Sequence, residues 1–118
     1  MKHGHETPEH IAMKQRVAQV LESQGFLVFF ELRLCDVVAW RVVGGRCEIW
    51  CVEIERSSRT LLPNCRRDLP RCDRLFALAP DPRTLQAISR KLDRNFAPAQ
   101  RSKVTVQLFD QFLRGNPE

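Results

Sequence analysis

Asp36, Glu53 and Glu55 are the side chains of this 118-residue chain whose type and spacing could do chemistry. They lie in LCDVVAWRVVGGRCEIWCVEIE, residues 34–55, where two β-branched and aromatic runs flank Gly44-Gly45. A glycine pair suits a two-residue turn with positive φ at both central positions, so the stretch reads as a β-hairpin. With the turn centred on that doublet, paired residue numbers sum to 89: Val42 faces Cys47, Trp40 faces Ile49, Val38 faces Cys51 and Asp36 faces Glu53. Strand alternation sets Glu55 on the same face as Glu53. Like charges opposed across a strand pair, with Cβ atoms about 5 Å apart, repel, and apolar surroundings raise the cost of ionising them. A bound divalent cation would relieve the conflict. A solvated acidic edge, helped by Arg33 or Arg56, would relieve it too, and the pattern leaves both readings open.

The hairpin needs elements to hold it. Thr7 and Pro8 open a first helix, with Glu9 favourable in its first turn or available as a further metal-site acid. Met13, Val17, Val20 and Leu21 recur at helical spacing, and Gly25 stops the run. Phe26–Leu32 is short and rich in aromatic and β-branched residues, which predicts a strand. The hairpin strands follow at roughly 35–43 and 46–54. LLPNCRRDL predicts a short helix with Pro63 in its permissive first turn and Pro70 closing it. Leu75–Ala79 reads as a buried strand, 82–93 as a helix capped by Asp81, and Val104, Val106 and Leu108 as a half-buried last strand. The order αβββαβαβ predicts an α/β fold: one mixed sheet, an antiparallel three-stranded meander plus parallel strands, with helices on both faces. One domain spans 1–118, with 1–6 and 110–118 expected to be flexible.

The net charge of +5 is unevenly placed. Residues 1–55 carry six Lys/Arg against eight Asp/Glu, whereas residues 56–103 carry twelve against four. Most of those cations are arginines, whose guanidinium forks match phosphate oxygens. Acids beside an arginine-rich half are what metal-assisted phosphodiester chemistry requires, because the arginines hold a polyanion that carboxylates alone repel. Solvated helix faces are the ordinary use of the same arginines. No apolar run approaches the roughly 20 residues of a membrane helix, and the N-terminus lacks the apolar segment of a signal peptide, so a cytoplasmic protein is expected. Five cysteines then read as free thiols. Cys47 and Cys51 lie about 13 Å apart on a strand, too far to share a zinc ion, and Cys35 is expected on the opposite face. His3, His5 and His10 sit in or next to a mobile N-terminus. Trp40 and Trp50 read first as core residues, and as base-stacking platforms only if exposed.

These residues resemble a family. CDVVAW, with Asp36 early in the second strand, and EIWCVEIE, with Glu53 and Glu55 at the end of the third, are similar to the motif of the PD-(D/E)XK, or restriction-endonuclease-like, nuclease superfamily. The resemblance runs from LESQGF at 21–26 to Phe109. It implies that Asp36 and Glu53 bind Mg²⁺ or Mn²⁺ and that the protein hydrolyses DNA phosphodiester bonds. Two departures stand out: Glu55 occupies the usual lysine position, and Cys35 replaces the proline that usually precedes the first acid. Some restriction endonucleases similarly carry Glu-x-Glu, which gives Glu55 a part in metal binding or water activation. In related families the missing cation comes from the following helix, here Arg66 or Arg67. Arg56, Arg59, Arg66 and Arg67 are the expected nucleic-acid contacts. ERSSRT at 55–60 also resembles a stretch of the replication-relaxation proteins of mobile elements. That likeness implies an alternative, a DNA-binding module without turnover acting in replication or maintenance of such an element. Expected partners are DNA, a second copy of the chain, or a helicase or replication protein.

Overall fold

The computed structural model describes residues 6–115, and of Arg33 only the backbone. Residues 1–5 and 116–118, including His3 and His5, lie outside the described residues.

Helix α1 is Pro8–Ser23, opened by Thr7, whose hydroxyl accepts from the His10 N–H at 3.1 Å. It ends at Gly25, which takes the left-handed φ of +91°. Strand β1 is Leu27–Phe30, shorter than the expected Phe26–Leu32. Glu31 and Leu34 adopt φ of +55° and +73° on either side of a single 3₁₀ turn, and that folds the chain out of the strand. β2 (Val37–Val43) and β3 (Arg46–Ile54) form the hairpin, with Gly44 and Gly45 at φ of +58° and +79°. Val42 pairs with Cys47, Trp40 with Ile49 and Val38 with Cys51, the register expected from the glycine doublet. The ladder stops at Val37 and Val52, so Asp36 sits in a bend just outside β2.

α2 (Leu61–Asp68) runs on into a 3₁₀ turn, Leu69–Arg71. β4 (Arg74–Ala79), α3 (Pro82–Asn95), a one-turn α4 (Pro98–Arg101) and β5 (Val104–Leu108) complete the sheet. Strand order is β1-β2-β3-β4-β5, antiparallel through β3 and parallel from β3 to β5. This is the mixed α/β sheet that the element order predicts. Residues 110–113, expected in a flexible tail, instead belong to helix α5 (Phe109–Leu113). The reason is an apolar pair at i, i+3, Phe109 and Phe112, both buried, with the Gln111 side chain accepting from the Leu108 N–H at 3.0 Å.

Both faces of the sheet are covered. On one, α1 and α5 pack Val17, Leu21 and Phe112 against Val37, Val52 and Phe76, and rings run from Phe26 through Trp50 and Phe76 to Phe112 at centroid spacings of 4.6, 4.8 and 5.5 Å. On the other, Leu61, Cys65, Ile88 and Leu92 of α2 and α3 cover Val38, Cys51, Leu75 and Ala77. No helix among the described residues is long and apolar enough to cross a membrane.

Candidate functional site

The three expected acids are all buried: Asp36 is 2% exposed, Glu53 1% and Glu55 3%. Glu53 lies inside β3, opposite Ala77 of β4. Glu55 is one residue past the strand, but its N–H still donates to the Leu78 carbonyl at 2.8 Å, so the parallel ladder holds both glutamates. Asp36 is fixed across the hairpin. Its Oδ2 accepts from the Ile54 N–H at 2.9 Å, and its Oδ1 lies 3.3 Å from His10 Nε2.

The acids do not share a single pocket. Asp36 and Glu55 line a cleft of about 240 Å³ together with Glu6, His10, Arg56 and Asn64. Glu53 belongs to an adjoining buried group with Cys35 and Asp68, in which one ligand atom from each lies within 4.8 Å of the others. Arg67 closes over it, Nη2 at 2.5 Å from Glu53 Oε2 and Nε at 2.8 Å from Asp68 Oδ1. Cys35 is therefore on the same side as Glu53, not on the opposite face. The left-handed Leu34 and the bend at Asp36 interrupt the alternation on which that expectation rests.

Burial, then Asp68, and then the charges of Cys35 and Asp36 push the Glu53 carboxyl far above its ordinary range. Arg67 pulls the other way, but desolvation of an almost inaccessible carboxyl prevails. For Arg67 itself burial is a penalty, outweighed by its hydrogen bond to Asp68 and the charges of Glu53 and Asp68, so the guanidinium stays charged. Cys65, on the buried side of α2, is pushed up to about 12 by burial, Glu55 and Asp68, which leaves it a thiol. All five cysteines are free, and only Cys47 is exposed.

Of the four expected nucleic-acid contacts, Arg56, Arg59 and Arg66 are exposed, and Arg67 is turned inward. Arg56 donates to Thr7 Oγ1 at 2.7 Å, and Arg66 stacks over Phe96 at 5.6 Å. Glu9 is exposed in the first turn of α1, one of its two expected places, and lines a depression that also includes Glu55 and Arg56, whereas His10, expected beside a mobile end, is in α1 facing Asp36. Glu6, just before the cap of α1, forms a ladder with His10 and Lys14 of that helix: His10 Nε2 is 3.3 Å from Glu6 Oε2, and buried Lys14 Nζ is 2.5 Å from Glu6 and 2.7 Å from Glu31. Their i, i+4, i+8 spacing was the signal available in the sequence. Asp68 and Cys35 carried none, because their roles depend on where α2 lies and where β2 begins.

Comparison of the chain with family models, with curated proteins and with solved structures finds no match.

Proposed function

We propose that this chain is a metal-dependent nuclease that hydrolyses DNA phosphodiester bonds. The observation that carries the reading is that Asp36 and Glu55 are buried yet line one cleft, beside the loop that bears Arg56 and Arg59. The mixed sheet, with glutamates at the end of its third strand, agrees with the resemblance to the PD-(D/E)XK superfamily.

The donor set fits a small hard cation. Carboxylate oxygens are the ligands Mg²⁺ prefers, with waters completing an octahedral shell, and the adjacent imidazole of His10 suits Mn²⁺ as well. Asp36 and Glu55 would hold the ion, with Glu53 as a third acid once Arg67 releases it. A bound divalent ion supplies a more acidic water and neutralises charge on the scissile phosphate. The chain's own residues do the rest. The Ile54 N–H and His10 fix the orientation of Asp36, and Asn64 Nδ2 lies 3.4 Å from Glu55 Oε2 and steadies it to orient or deprotonate water. Arg56, Arg59 and Arg66 offer guanidinium forks to the backbone phosphates.

A specific observation favours a second reading, a DNA-binding module without turnover: Arg67 holds Glu53 closed, and Glu55 stands where the resemblance leads one to expect lysine. The two separate on incubation with nicked, branched and linear DNA plus Mg²⁺ or Mn²⁺. Cleavage abolished by chelation, and reduced at least a hundredfold by Asp36→Asn along with calorimetric Mn²⁺ binding, is the expected result. Intact DNA binding with no cleavage of any substrate leaves the second reading.

A further inference from the structure

Trp40 is the aromatic residue that the site described so far leaves unused. It lines a second cavity of about 350 Å³, walled by Val38, Ile49 and Leu32, with buried Asp68 and exposed Arg71 as its polar groups. Phe29 covers part of the indole, at a centroid distance of 4.6 Å and a tilt of 35°, which braces the ring. Cys35 also lines this cavity, and the next residue, Asp36, lines the acidic cleft. The two hollows therefore lie on either side of the Cys35–Asp36 peptide, with Trp40 four residues, about 13 Å along the chain, from Asp36.

We infer that this cavity receives one unpaired nucleobase of a DNA strand whose backbone lies along the acidic cleft. The inference rests on the nuclease reading and names its substrate: DNA with a base that can leave the stack. Three features select a base over an apolar side chain. An indole braced from behind offers a stacking surface. Arg71, exposed among the lining residues, supplies a donor for a base edge. The basic segment that contains Arg71 complements a polyanion.

The test is binding measured by fluorescence anisotropy in EDTA, which removes any metal-dependent step. The probes are a short single-stranded oligonucleotide, an abasic strand of the same length and a blunt duplex. Wild-type protein is expected to bind the single strand about tenfold more tightly than the abasic strand, the size of one base–aromatic stack, and more tightly than the duplex. Trp40→Ala should erase that preference and Trp40→Phe keep most of it. Leu32→Trp, at an already exposed position on the wall, should erase it by filling the cavity while Trp40 stays intact. Equal binding of intact and abasic strands by wild type, or a preference surviving both Trp40→Ala and Leu32→Trp, overturns the inference. Cleavage without a base preference removes this inference alone. A base preference without metal-dependent cleavage supports it and removes the enzyme, and failure to bind any of the three probes removes both.

Discussion

The two faces of the sheet are built to different ends, and β4 shows it within one strand. Toward α1 and α5 it presents Phe76 and Leu78, and the aromatic chain from Phe26 to Phe112 fills that side. Toward α2 and α3 it presents Ala77 and Ala79, beside Glu53 and Glu55. Beyond Leu75, the small side chains on that second face leave room for the carboxylates without widening the sheet. Both faces bury an apolar cluster, but the second also buries Asp36, Glu53, Glu55 and Asp68, an arrangement that costs stability unless each charge is met. Such a cost, concentrated at one place, is what a functional site produces.

The contrast can be broken most strongly on the apolar side. Phe112→Ala should cost about 3–5 kcal/mol in chemical denaturation, as for other buried aromatic truncations. A loss under 1 kcal/mol would mean that α5 adds nothing to the core. On the polar side, Arg67→Met removes the cation that covers Glu53 and Asp68. A loss of roughly 3 kcal/mol is expected, the low end for a broken buried pair because Arg67 itself keeps 21% exposure. Full stability in that variant would show that the carboxyls do not need it.

The smallest effect sharpens the comparison through pH. The folded pKa of Glu53 is raised, so its contribution is fully present below the unfolded value of about 4.3 and is lost as pH rises toward the folded value. Glu53→Gln never ionises, so it should gain progressively on wild type above that pH, at no more than about 1.4 kcal/mol per pH unit. A stability difference that stays flat across the carboxylate range would show that Glu53 ionises as readily folded as unfolded.

Much of this frame was legible beforehand. The glycine doublet carried the hairpin register, because a two-residue turn leaves no freedom in pairing, and Thr7-Pro8 and Asp81-Pro82 marked two helix starts with chemistry that few other pairs supply. Alternation failed where the backbone leaves the strand, at Glu31 and Leu34, and with it went the placement of Cys35. Helix packing decided the rest. Arg67 was a candidate cation, but only the approach of α2 shows that it seals Glu53 with Asp68 instead of facing solvent. His10 was discounted for its nearness to the chain end, although it stands one turn into a capped helix.

The central place of β3 has one more consequence. Up to Val52 its amides and carbonyls are shared with β2 and β4 alike, and beyond that residue the parallel ladder to β4 and the Asp36 carboxylate on the Ile54 N–H hold the backbone beneath Glu53 and Glu55. If the cleft receives a DNA strand as proposed, accommodation would come from the opposite wall: the bend that carries Asp36 and the irregular segment from Arg56 to Thr60. That segment is fastened to α3 by the Lys91 ammonium on the Ser58 carbonyl at 2.8 Å. Under the proposed function the glutamates would be the stationary jaw, and Lys91 on Ser58 together with Arg56 on Thr7 would set how far the other wall can open.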